Sequence, residues 1–206
     1  MVMKKKAIVA VVALVLVLCC AMGGTLAWLV DSTTEVKNTF TYGDINISLW
    51  EHKLNADGLT LSTDVFTEKK QTGFKMIPGN NIEKDPTVTV KANSEACWLF
   101  VKVEESNNFD GFMTYAIADG WTALDANTGV YYREVTASDK DQEFNVLKDN
   151  TVTVEKDVTK DNLNALTEET MPTLTFTAYA IQSANLTNAD NTEADTAVEA
   201  WALIKQ

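Results

Sequence analysis

Between residues 44 and 182, apolar and polar side chains alternate with a period of two. That repeat sets every second residue on one face of a β-strand. Ile45, Ile47 and Leu49 share one face, and Asn46, Ser48 and Trp50 share the other. Residues 87–91 alternate around Val88 and Val90. The strongest run is 96–104, where Cys97, Leu99, Val101 and Val103 line one side and Trp98 and Phe100 make the other side apolar at its start. A strand apolar on both faces belongs in the middle of a covered sheet. Residues 112–118, 130–136 and 151–154 read as shorter strands. Residues 173–182 read as a long, uncharged one rich in Thr, Ala and aromatic side chains. Asp57-Gly58, Pro78-Gly79-Asn80-Asn81, Asp110-Gly111, Asp119-Gly120 and Thr128-Gly129 punctuate the runs as turns. Short strands split by turns predict an all-β, two-sheet sandwich. No longer period recurs and no linker interrupts, so residues 28–206 read as a single domain.

Helical spacing occurs in two places. Residues 161–169 have room for a turn or two. In 193–204, Ala194, Ala197, Val198, Trp201 and Ile204 fall on one stripe. Thr192 is placed to cap that helix, with Glu193 and Asp195 near its positive end.

The first 27 residues follow a different pattern. Lys4, Lys5 and Lys6 precede an apolar run from Ala7 to Met22, and Gly23, Gly24, Thr25, Leu26 and Ala27 follow. A basic head, an apolar middle and a small-residue end make a secretory signal peptide. Thr25 and Ala27 take the two small-residue positions of a cut before Trp28. The rival reading is an uncleaved anchor over residues 7–30, which at 24 residues is long enough to span a bilayer. A lipoprotein at Cys19 or Cys20 is a third reading, against which Leu18 is large for the position before the modified cysteine.

Charge narrows the function classes. The chain carries 29 acidic and 17 basic residues, for a net charge of −12. Without residues 1–27 it has 179 residues and a net charge of −15. Such a chain repels phosphate backbones, so nucleic acid is excluded as a partner. Cys97 is then the sole cysteine, no internal disulfide can form, and stability must come from the core. In its apolar strand Cys97 reads either as a small buried hydrophobe or as an intermolecular bridge.

Catalytic motifs are sparse. A zincin needs H-E-x-x-H, and this chain has one histidine, His52, in Trp50-Glu51-His52-Lys53. A solvent-facing side chain at a strand end is the plainer reading of it. No G-x-S-x-G elbow is present. No cofactor is called for, and weak calcium is the one cation expected. It would sit at Asp119-Gly120, Asp125-Ala126-Asn127, Asp139-Lys140-Asp141 or residues 188–195, none of which matches an EF-hand loop.

The stretch Gly24-Thr25-Leu26-Ala27-Trp28-Leu29-Val30-Asp31, followed by Asn38-Thr39-Phe40-Thr41-Tyr42-Gly43-Asp44-Ile45-Asn46-Ile47-Ser48-Leu49-Trp50-Glu51, resembles the start of the TasA/camelysin family. There the pattern runs roughly G-T-x-A-[YF]-[FL]-x-D, a spacer, then N-x-F-x-x-G-x-[IVL]-x-[IVL]-x-[IVL]-x-E. Trp28 departs from it but keeps an aromatic ring. Looser matches run from Pro78 to Val90 with the Trp98 strand, from Trp121 to Tyr132, and over Ala178-Tyr179-Ala180-Ile181-Gln182. The specific part is residues 23–51.

The resemblance implies a jelly-roll-like β-sandwich behind an N-terminal signal helix, exported after cutting by a SipW-type signal peptidase. It implies a place in an extracellular biofilm matrix or at the cell surface, with membrane contact only through the leader before cleavage. It further implies fibres built by strand donation to another copy or to other matrix proteins. The donor would run from Trp28 to about Phe40, with Trp28, Leu29 and Val30 as apolar anchors, and would add main-chain hydrogen bonds to an open sheet edge. Residues 28–40 read equally as a first strand folded into their own sandwich. The uncharged 173–182 run is either an assembly edge or a protected core strand. Camelysin adds a cell-surface metalloendopeptidase as an alternative, and a monomeric surface-binding module is a second.

Overall fold

The computed structural model describes residues 44–66, 70–125, 129–187 and 196–204. The chain divides into two compact units, Met1–Thr41 and Tyr42–Gln206, and every described residue belongs to the second. The expected leader, the expected cut between Ala27 and Trp28, and the expected donor residues Trp28, Leu29, Val30 and Phe40 lie outside the described residues.

The alternating runs fold as antiparallel sheet. One sheet has the order β2 (Leu61–Phe66), β1 (Ile47–Leu54), β4 (Thr87–Val90), β9 (Gln142–Asn145). A second has β3 (Asn81–Glu83), β10 (Leu147–Val154), β6 (Met113–Ile117). The third has β11 (Leu174–Gln182), β5 (Cys97–Glu105), β8 (Val130–Val135), β7 (Thr122–Ala123).

The first two sheets share bent strands. β9 runs straight into β10 through Val146, which is fully buried and donates to the Pro86 carbonyl at 2.9 Å. Pro86 separates β3 from β4 in the same way. Its backbone faces the β9 side, so its missing N–H leaves no bond back to Val146 and the β4–β9 ladder ends there as the strands turn from one sheet to the other. On the β1 side the Asp85 carboxylate takes over, accepting from the His52 backbone N–H at 3.0 Å. A bulge at Asp149 and Asn150, with φ of 55° and 50°, slips the β10 register between Leu147 and Val152.

The prediction of an apolar central strand holds: β5 lies between β11 and β8. Its odd residues, Cys97 to Val103, pack with Val88, Val90, Trp121, Val135 and Val146, against Ile45, Ile47 and Leu49 from the other sheet. Its opposite face carries Phe100, fully buried under the C-terminal helix. Burying a side chain of this size contributes about 1.5–3 kcal/mol. A third cluster around Ile82, Phe109, Met113, Leu147, Val152 and Val154 extends the core under the second sheet.

The first helix is within the turn or two expected, and the second is shorter than the 193–204 stretch. α1 (Lys160–Asn164) starts at a Thr159–Asn162 capping box and is a single turn. α2 (Ala197–Ile204) buries Ala197, Ala200 and Trp201. Val198, expected on the apolar stripe, is 47% exposed. Thr192 is outside the described residues, and Thr196 does the capping. Its Oγ1 accepts from Glu199 N at 3.3 Å, while Glu199 Oε2 accepts from Thr196 N at 3.1 Å.

Candidate functional site

The most unusual surface of this fold is the outward edge of β11. The strand pairs with β5 over its whole length, from Leu174 opposite Glu105 to Gln182 opposite Cys97. It has no strand partner on its other side among the described residues. Just beyond its ends, Ser106 N donates to Thr173 O and Ser183 N donates to Ala96 O, both at 3.0 Å. Those bonds fix the phase: odd-numbered residues bond β5, so the N–H and C=O groups of Leu174, Phe176, Ala178, Ala180 and Gln182 point outward.

Natural sheets protect such an edge with charge, proline, a bulge or brevity. β11 has none of these over nine residues, Leu-Thr-Phe-Thr-Ala-Tyr-Ala-Ile-Gln. The other outer strands are protected or short. β2 carries Asp64, β3 carries Glu83, β9 carries Glu143, β7 has two residues, and β6 has five.

A second half-open edge lies beside it. β2 pairs only with Glu51, His52 and Leu54 of β1, while β4 pairs with Ile47 to Trp50 on the opposite side. The outward backbone of Ile47 and Leu49 therefore has no strand partner among the described residues. β1 and β11 approach within 8 Å between Cα atoms without sharing a ladder. The β11 edge is firm because α2 braces its other face. Tyr179 meets the Trp201 ring at 5.2 Å, edge to face, and Trp201 also meets Phe100 at 5.1 Å.

The lone histidine is placed differently from the expectation. His52 lies within β1, its side chain 30% exposed, and Nδ1 is 2.5 Å from Asp85 Oδ2. With the backbone bond already described, Asp85 binds His52 twice and fixes its ring, which meets Trp50 edge to face. Next to it, Lys84 Nζ sits 2.8 and 2.9 Å from the Glu51 carboxylate oxygens and faces the rings of Phe74 and Phe176. An open cleft of about 320 Å³ lies nearby, lined by Leu61, Glu83, Asp85, Asp149, Asn150 and Thr151. Two of its three acids are already engaged, since Asp85 holds His52 and Glu83 accepts from Leu61 N at 2.7 Å. Among the described residues, no group of three His, Cys, Asp or Glu side chains converges as metal ligands.

Comparison with family models, with curated proteins and with solved structures returned no match.

Of the loops expected to take calcium, Asp141 is committed elsewhere. Ala92 N and Lys91 Nζ donate to its carboxylate at 2.8 and 3.0 Å, which holds its pKa below the ordinary value. Residues 126, 127 and 188–195 lie outside the described residues, and Asp125 is exposed. Cys97 is fully buried, and burial pushes its thiol up to about 11. Sequence reasoning missed Asp85 and Lys84, whose roles depend on partners more than thirty residues away in sequence. It found the 173–182 run but left its position at the edge open.

Proposed function

We propose that this chain is an exported structural protein of the TasA/camelysin kind, a jelly-roll-like β-sandwich of the extracellular matrix or cell surface. Its subunits join by donating residues 28–40 to the outward edge of β11 in the next copy. The observation that supports this reading is the nine-residue, uncharged β11 edge, flanked by the half-open edge of β1.

The lengths are compatible. Nine paired residues occupy about 30 Å, and the thirteen residues 28–40 reach about 43 Å when extended. Main-chain hydrogen bonds would supply the affinity, and Trp28, Leu29, Val30 and Phe40 the apolar anchoring. A SipW-type signal peptidase cutting between Ala27 and Trp28 would release the donor only after export, so subunits would not join inside the cell. Because each copy carries a large negative charge, assembly should strengthen with salt or mild acid, which screens or neutralises carboxylates.

The test combines the intact mass of the exported protein with negative-stain microscopy. A mass beginning at Trp28, with filaments that vanish when residues 28–40 are removed, is the expected result. Filaments that persist without residues 28–40, or exported protein that retains its leader, would overturn the proposal. Casein hydrolysis abolished by a chelator would instead support the peptidase. A stable monomer with neither property would support a surface-binding module.

A further inference from the structure

Arg133 is the chain's single arginine, in a sequence with 29 acidic residues. It stands on β8 opposite Leu99, on the face that looks into the space between the sheets. Its guanidinium lies 3.9 Å from the Phe144 ring centre and 5.4 Å from that of Trp121. Gly120, at φ +88°, lets it close in: a Cβ there would meet Nη2 at 3.1 Å. The aromatic platform is itself held, because Trp121 Nε1 donates to the Asn145 carbonyl at 2.8 Å.

The guanidinium makes no ion pair and no hydrogen bond to any described residue. Three lysines do pair with carboxylates: Lys84 with Glu51, Lys91 with Asp141 and Lys102 with Glu104. A guanidinium held against aromatic rings keeps N–H donors that the rings do not use, and their fork matches a carboxylate bidentately. Partial burial between two rings weakens the competition from water.

We propose that Arg133, on its Phe144–Trp121 platform, is the receptor of an anion site that takes a carboxylate. The surrounding net charge favours a monoanion over a phosphate dianion, which the acidic surface repels about twice as strongly. The carboxylate comes either from a free small acid or from a second copy of this chain, and the two sources separate experimentally.

A single arginine gives a single side-chain Nε–H resonance, so the site reports on itself in the full ¹⁵N-labelled chain. Acetate and glucuronate, titrated at constant ionic strength against chloride, should give a saturable shift of that resonance together with the Trp121 indole N–H. Arg133→Lys keeps the charge and loses the fork, so the Trp121 response should weaken about tenfold, the worth of one charge-assisted hydrogen bond. A free acid as the source gives a titration independent of protein concentration. A second copy as the source gives a shift on dilution without additive, which added acetate suppresses. Equal responses to chloride and acetate, no response at all, or an unchanged Trp121 response in Arg133→Lys would each overturn the site.

Discussion

Proline at position 178 and proline at position 177 act on opposite edges of β11. The Ala178 N–H points away from β5, so Ala178→Pro leaves the β5 ladder intact. Its cost to the monomer is the crowding of two added methylenes on a half-buried face, about 1–2 kcal/mol. In a domain of this size that lowers the Tm by a few degrees. Thr177→Pro removes an N–H that bonds β5 opposite Lys102 and sets the ring against that strand, at about 3 kcal/mol or more. The ranking reverses for assembly. An added strand draws on the outward groups of five β11 residues, at about 0.5–1.5 kcal/mol per bond. Ala178→Pro deletes the central donor and pushes the incoming strand off its neighbour. The loss of about two bonds, near 2 kcal/mol, raises the critical concentration about thirtyfold. Sedimentation gives that concentration and circular dichroism gives the Tm. A folded Ala178→Pro protein that polymerises at the wild-type concentration would refute the edge as the site of joining.

Trp201→Ala should cost about 3–5 kcal/mol in urea unfolding, because Trp201 packs on both Phe100 and Tyr179, and dye binding should rise as that face uncovers. Asp57 is held down at about 2 by bonds from the Thr60 hydroxyl, then the Leu59 and Thr60 backbone N–H groups. A folded pKa below the unfolded value of 3.8 gives stability that is present above pH 4 and lost as pH falls toward 2. Asp57→Asn should therefore flatten the Tm profile in that window, and an unchanged slope would contradict the linkage. Cys97, fully buried with a raised pKa, should react with a thiol reagent only at the rate of unfolding, and prompt labelling at neutral pH would contradict the packing.

Period-two alternation was enough to find β1, β4, β5, β6, β8, β11 and the second half of β10, because each has apolar side chains on at least one face. It missed β2, β3, β7 and β9. β9, Gln-Glu-Phe-Asn, has one apolar residue and is held by its register to β4. β2 carries Ser, Thr and Asp and is specified by the hairpin that closes through Asn55 and Thr60. Trp98 and Phe100 announced a second covered face, but only the fold shows that a helix lies over Phe100. The candidate edge was legible as composition and not as position. Nothing local in Leu174–Gln182 distinguishes an outer strand from an inner one, since that depends on which partners arrive from elsewhere. Arg133 was invisible for the same reason: its platform comes from Trp121 and Phe144 on other elements.

The pairing of β5 with β11 also fixes a timetable. Cys97 waits for Gln182, and Phe100 waits for Trp201, about a hundred residues further along the chain. Until residues 174–204 emerge, the centre of the third sheet lacks both a neighbour and a roof. Contacts this far apart in sequence form slowly. A chain exported as we propose would therefore still be pliable while it crosses, and would acquire its rigid body on the far side.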